Sequence, residues 1–71
     1  MTQTPKLLDV VALLCDIPAA GLVRGQVGTV VEELSGALEV EFSDDEGCTY
    51  ALLAVAPEKL LVLHHEPARV A

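Results

Sequence analysis

Ala37-Leu38-Glu39-Val40-Glu41-Phe42 alternates apolar and charged side chains at its core positions. A period of two marks a half-buried β-strand, because successive side chains leave a strand on opposite faces. Leu38, Val40 and Phe42 are expected to enter a core, and Glu39 and Glu41 to meet water. Just before this run, Ser35-Gly36 reads as a tight turn. Before the turn, Gln26 to Leu34 reads as a second strand, flanked at its start by Gly25 and Gly28. Glycine in such a place marks a bulge or a close backbone approach. After the run, Ser43-Asp44-Asp45-Glu46-Gly47 is an acidic loop whose Asp and Gly suit a turn. Cys48 to Val55 follows as a fourth strand. Cys48, Tyr50 and Leu52 are expected to face the core, with Thr49, Ala51 and Leu53 outward.

Outward from this centre the same rhythm continues. Leu7 to Leu14 reads as the first strand, and Asp16-Ile17-Pro18-Ala19-Ala20-Gly21 as a loop in which Pro18 and Gly21 disfavour a regular element. Ala56-Pro57-Glu58-Lys59 reads as one helical turn, because a proline at the first helical position gives up no needed N–H. Leu60 to Leu63 makes the fifth strand. Gly21, Gly25, Gly28, Gly36, Gly47 and Pro57 are the residues expected to shape the turns. A helix over Leu7–Cys15 competes with the first strand, but β-branched Val10-Val11 and the missing polar face weaken it. The expectation is an all-β domain of five strands over residues 7–64, with flexible ends at 1–6 and 65–71.

Composition limits what such a domain can do. The chain has 71 residues, enough for one domain, and a domain this small buries only about 60% of the surface its unfolded chain exposes. Apolar residues make up 52% but aromatics only 3%, so an exposed apolar patch, and with it an interface, is expected. Eleven Asp and Glu against four Lys and Arg leave a net charge of -7. Affinity for nucleic acid comes largely from basic residues. Lys6, Arg24, Lys59 and Arg69 are scattered, which disfavours a polynucleotide partner. An acidic surface instead suits a basic protein. The N-terminus lacks a basic segment followed by an apolar run, and no stretch approaches the roughly 20 apolar residues that cross a bilayer. A cytoplasmic protein with reduced thiols is expected, with Cys15 and Cys48 as small buried hydrophobes.

Five strands, a long first loop and a helical turn before the last strand match an SH3-like barrel. Within it, Arg24-Gly25-Gln26-Val27-Gly28-Thr29-Val30-Val31-Glu32 resembles the KOW-type segment of such barrels, where Gly-x-x-Gly-x-Val turns a loop into a strand. A wider resemblance runs through Leu7-Leu8-Asp9-Val10-Val11-Ala12-Leu13, Asp16-Ile17-Pro18 and Gly21-Leu22-Val23, and on through the KOW-like stretch. It continues in Glu39-Val40-Glu41-Phe42, Gly47-Cys48-Thr49-Tyr50-Ala51-Leu52 and Leu60-Leu61-Val62-Leu63. Together these segments resemble a small bacterial, mainly cyanobacterial, family of short chains described as a domain of unknown function. The resemblance implies an SH3-like barrel and an association with toxin–antitoxin gene pairs. It carries over no catalytic or ligand residue.

No constellation for catalysis or cofactor binding emerges. His64 and His65 are adjacent, so on a strand their rings point to opposite faces and do not share a metal. No Cys-x-x-Cys pair is present to nucleate a zinc site. Cys48 follows Asp44-Asp45-Glu46, and negative neighbours work against a thiolate. Three crowded carboxylates fall short of the six to eight oxygens that calcium takes. Gly25 and Gly28 lack the lysine and helix of a phosphate loop. Phe42 and Tyr50 are the only Phe, Tyr or Trp residues, too few for a proline-peptide groove or a base-stacking platform.

The expected function is therefore a non-enzymatic protein-interaction module without cofactor or metal, an antitoxin-like or regulatory partner of a more basic protein. Glu39, Glu41, Asp44, Asp45 and Glu46 would form the acidic contact, and Thr49, Ala51 and Leu53 an apolar strip for self-association into a homo-oligomer. RNA binding through the KOW-like turn, with Arg24 and Lys59, is the alternative.

Overall fold

A computed structural model describes residues 4–67. Five antiparallel strands form one sheet: β1 (Val10–Leu13), β2 (Val27–Leu34), β3 (Ala37–Ser43), β4 (Thr49–Val55) and β5 (Leu60–Val62), in the order β4-β3-β2-β1-β5. Among the described residues the only helical pieces are two short 3-10 turns, Pro18–Ala20 and Pro57–Lys59. The all-β expectation holds, and so does the helical turn that Pro57 begins. Among the described residues no helix is long and apolar enough to cross a membrane.

The alternation in β3 decides which way the sheet faces. Leu38, Val40 and Phe42 are buried, while Glu39 and Glu41 lie half-buried on the other side. Directly opposed residues share a face. Val40 pairs with Val30 and Leu53, Leu38 with Val55, and Phe42 with Gly28 and Ala51. Val11 of β1 continues the Phe42 row between Gly28 and Val62. One cluster results, to which every strand contributes: Val11, Leu13, Val30, Leu38, Val40, Phe42, Val55 and Leu60, closed from the first loop by Leu22. No polar or charged side chain is buried among them. Each such residue contributes about 1.5–3 kcal/mol by leaving water, against the entropy of ordering the chain.

Two register shifts set the outer surface. Between β2 and β3 the pairing steps from Val30↔Val40 to Glu32↔Glu39, leaving Val31 as the extra residue of a bulge. Gly28 and Val30 point inward, so strict alternation would send Glu32 inward as well. The bulge turns it out. Between β3 and β4 the pairing steps from Phe42↔Ala51 to Ser43↔Thr49, with Tyr50 as the extra residue. Here the bulge sends Thr49 outward although Ala51 points in.

The first strand is shorter than expected. Leu7 and Leu8 form a turn, not a strand. The Lys6 backbone N–H donates to Asp9 Oδ2 at 2.9 Å, and the Asp9 N–H donates to the Lys6 carbonyl at 3.0 Å. This local loop competes with strand pairing. It leaves Leu8 with φ 71° and 72% exposed. At the other end Leu14 is exposed too. Of the two expected flexible ends, residues 1–3 and 68–71 lie outside the described residues. Pro5 is buried, and His64 to Pro67 are exposed.

Candidate functional site

The strands carry charge of one sign. No Lys or Arg lies in any of the five, whereas β2 holds Glu32 and Glu33 and β3 holds Glu39 and Glu41. The described cations sit off the sheet. Lys6 precedes β1, Arg24 lies in the loop before β2, and Lys59 lies in the second 3-10 turn.

Register places the carboxylates in rows on the outer face. Glu32, Glu39 and Ala54 form one row across β2, β3 and β4. Thr29, Glu41 and Leu52 form the next. Glu32 and Glu39 are directly opposed, an arrangement that costs stability because like charges repel across a ladder. Glu41 accepts a hydrogen bond from Thr49 Oγ1 at 3.0 Å. Glu32 is a residue that sequence reasoning left out. Only the bulge at Val31 brings it beside Glu39, and a linear pattern does not announce that pairing.

The acidic loop is built differently. Asp44 Oδ1 accepts from the backbone N–H groups of Glu46 and Cys48, both at 2.9 Å. The Asp44 N–H donates to the Cys48 carbonyl at 2.9 Å, and the Gly47 N–H to the Asp44 carbonyl at 3.0 Å. Asp44 thus organises the turn, as Asp side chains do when they bond backbone two residues on. Its Oδ1 accepts both of these side-chain bonds. Asp45 and Glu46 are exposed. Of the acidic residues singled out from sequence, Glu39 and Glu41 share a face with Glu32, and Asp45 and Glu46 extend from the loop at the end of the same strand.

The expected apolar strip of β4 is corrected. Ala51 and Leu53 pack against the core, and Leu52 is 55% exposed on the outer face. The reason is pairing: Ala51 and Leu53 stand opposite the buried Phe42 and Val40. Cys48 is exposed instead of buried. Tyr50, at the bulge, is 48% exposed. Its ring leans on Phe42 with centroids 6.4 Å apart, and Gln26 Nε2 donates to its hydroxyl at 3.3 Å. Thr49 faces out as expected. The outward apolar surface of β4 is therefore Leu52 with Ala54, flanked by Tyr50.

Of the residues expected to shape turns, Gly28 lies inside β2 and not in a turn. Gly21, Gly25, Gly36 and Gly47 all have positive φ, between 71° and 94°. Gly28 differs, since it is buried inside β2. A Cβ there would lie 2.7 Å from Val40 Cγ1, 2.8 Å from the Glu41 carbonyl oxygen and 3.0 Å from Phe42 Cδ2. The close approach anticipated for this glycine is real, and it lets β3 pack directly on the β2 backbone. In the loop before β2, the Arg24 N–H donates to Asp16 Oδ1 at 2.8 Å and the Val23 N–H to Gln26 Oε1 at 2.6 Å. The loop is tied by its own side chains.

Among the described residues no group of three or more His, Cys, Asp or Glu is arranged to hold a metal ion. Cys15 and Cys48 are free thiols, and His64 and His65 are exposed. A family model described as "Domain of unknown function (DUF4926)" matches residues 7–62. No curated protein and no solved structure matches the chain.

Proposed function

This chain belongs to the DUF4926 family, and from that premise we propose that it is a non-enzymatic binding module whose carboxylate-bearing sheet face holds a more basic protein. The observation that carries this reading is the opposed pair Glu32 and Glu39, beside Glu41, on a sheet without a single basic residue. Uncompensated like charge is costly in the free protein and favourable opposite a basic surface, where it also speeds encounter and rejects acidic competitors. An antitoxin-like or regulatory role in a bacterial cytoplasm is the biological setting we infer. An SH3-like barrel is the fold we infer for the sheet. The strand order β4-β3-β2-β1-β5 and the 3-10 turn between β4 and β5 support it.

RNA binding through residues 24–32 is the weaker reading, because a net charge of -7 opposes phosphate. Self-association has one observation in its favour, the exposed Leu52 at the edge of the sheet.

Affinity purification of the tagged chain from its host tests the main reading. The wild-type chain is expected to retain a protein of basic sequence that salt releases, and the double variant Glu32→Gln, Glu39→Gln to retain much less. Recovery of the chain alone, or equal retention by the variant, overturns it.

A further inference from the structure

We propose that the free edge of β4 takes up an extended segment of a basic partner as a sixth strand, with a lysine or arginine of that segment lying over Ala54 to meet Glu39 and Glu32. The proposal rests on the binding reading above and adds where and how the partner is held.

Among the described residues the two edges of the sheet are β4 and β5. Folded proteins protect edge strands with short length, charge, proline or bulges. β5 is three residues long and so offers little to pair with. β4 is seven residues long and contains neither a charged residue nor proline. Its one protective device is the bulge at Tyr50, close to its start. From Ala51 to Val55 it runs in regular register against Phe42 to Leu38. Strand addition to such an edge draws affinity from main-chain hydrogen bonds and specificity from alternate side chains.

The side chains beside the edge define the guest. Neighbouring strands lie about 4.8 Å apart, so a guest residue opposite Ala54 sits roughly 10 Å from Glu39 along the row, two spacings away. Only the Ala54 methyl intervenes. A lysine or arginine can lay its apolar stem over that methyl and deliver its charge to the carboxylates beyond. There it relieves the repulsion between Glu39 and Glu32. The guest residue two positions along faces Leu52, which is 55% exposed, and is therefore apolar. A second copy of this chain does not fit these requirements. Its β4 brings no cation to Glu39, and it adds another net charge of -7.

The test titrates the full chain at low salt with a short lysine–valine peptide of Lys-Thr-Val-Thr repeats, which sets lysine and valine in turn along one strand face, read by backbone amide shifts and hydrogen exchange. The same peptide N-methylated at every backbone amide keeps the charge but donates no main-chain hydrogen bond from either edge. The lysine–valine peptide is expected to shift and protect Ala51 to Val55, and the N-methylated peptide to bind at least several-fold more weakly. Glu32→Gln with Glu39→Gln is expected to weaken the lysine–valine peptide roughly twofold to tenfold. Equal binding of both peptides, or shifts confined to the acidic loop, overturns strand addition and leaves the basic-partner reading standing. No binding of either peptide overturns both. Concentration-dependent protection of β4 in the chain alone assigns the edge to a second copy and overturns the proposal.

Discussion

Replacing Gly28 with alanine should destabilise this protein through one crowded contact. The added methyl would sit 2.7 Å from Val40 Cγ1, 2.8 Å from the Glu41 carbonyl oxygen and 3.0 Å from Phe42 Cδ2. Val40 and Phe42 are fully buried, and the Glu41 oxygen is backbone, so nothing can swing aside without moving β3 against β2. Overpacking of this kind costs about 1–3 kcal/mol. Alanine restricts the unfolded chain more than glycine and returns about 0.5–1 kcal/mol. The difference spans roughly 0–2.5 kcal/mol, and a backbone oxygen among the atoms met places the net loss in its upper part, about 1–2 kcal/mol. For a domain of this size that lowers Tm by roughly 4–16 °C. Thermal and urea melts followed by far-ultraviolet circular dichroism measure it. The same melts on the Val40→Ala background provide the decisive comparison. Removing the Val40 methyls frees part of the space, so the two substitutions should combine to less than their sum by at least about 0.5 kcal/mol. A Gly28→Ala protein as stable as wild type, or strictly additive effects, refutes the close-packing account.

Three further outcomes follow from the geometry. Leu52→Lys should change stability by less than about 0.5 kcal/mol because the position is exposed, whereas Leu53→Lys should unfold the domain by placing an unpaired charge against the core; circular dichroism of both proteins checks the pair. Asp44→Ala removes the acceptor for two backbone N–H groups and should cost about 1 kcal/mol, read as a lower urea midpoint with unchanged m. Glu32→Lys should stabilise the free chain by roughly 0.2–1 kcal/mol, because it turns a repulsive cross-strand pair with Glu39 into an attractive one; added salt should shrink the gain, and a destabilised variant would count against the opposed-carboxylate description.

Much of this structure is local and could be read along the chain. The period of two in Ala37 to Phe42 assigned Leu38, Val40 and Phe42 to the core, because their alternation is a property of the strand alone. Ser35-Gly36, Gly47 and Pro57 marked turns through their own backbone preferences. Leu7 and Leu8 misled, since their hydrophobicity suggested a strand while the bonds between Lys6 and Asp9 closed a turn around them.

β4 was different. Tyr50, Ala51, Leu52 and Leu53 are apolar in succession, and such a run has no phase of its own. Counting by twos from Cys48 put Tyr50 and Leu52 in the core and Ala51 and Leu53 at the surface. The pairing with Val40 and Phe42 reversed that phase, turning Ala51 and Leu53 inward and Leu52 outward. The sequence by itself determined that the chain is all-β, acidic and poor in rings, because composition and short-range periodicity do not depend on what lies opposite. Which carboxylates stand together, and which edge stays open, was decided only by tertiary structure. Each bulge shifts register by a single residue, and in a strand that exchanges inside for outside.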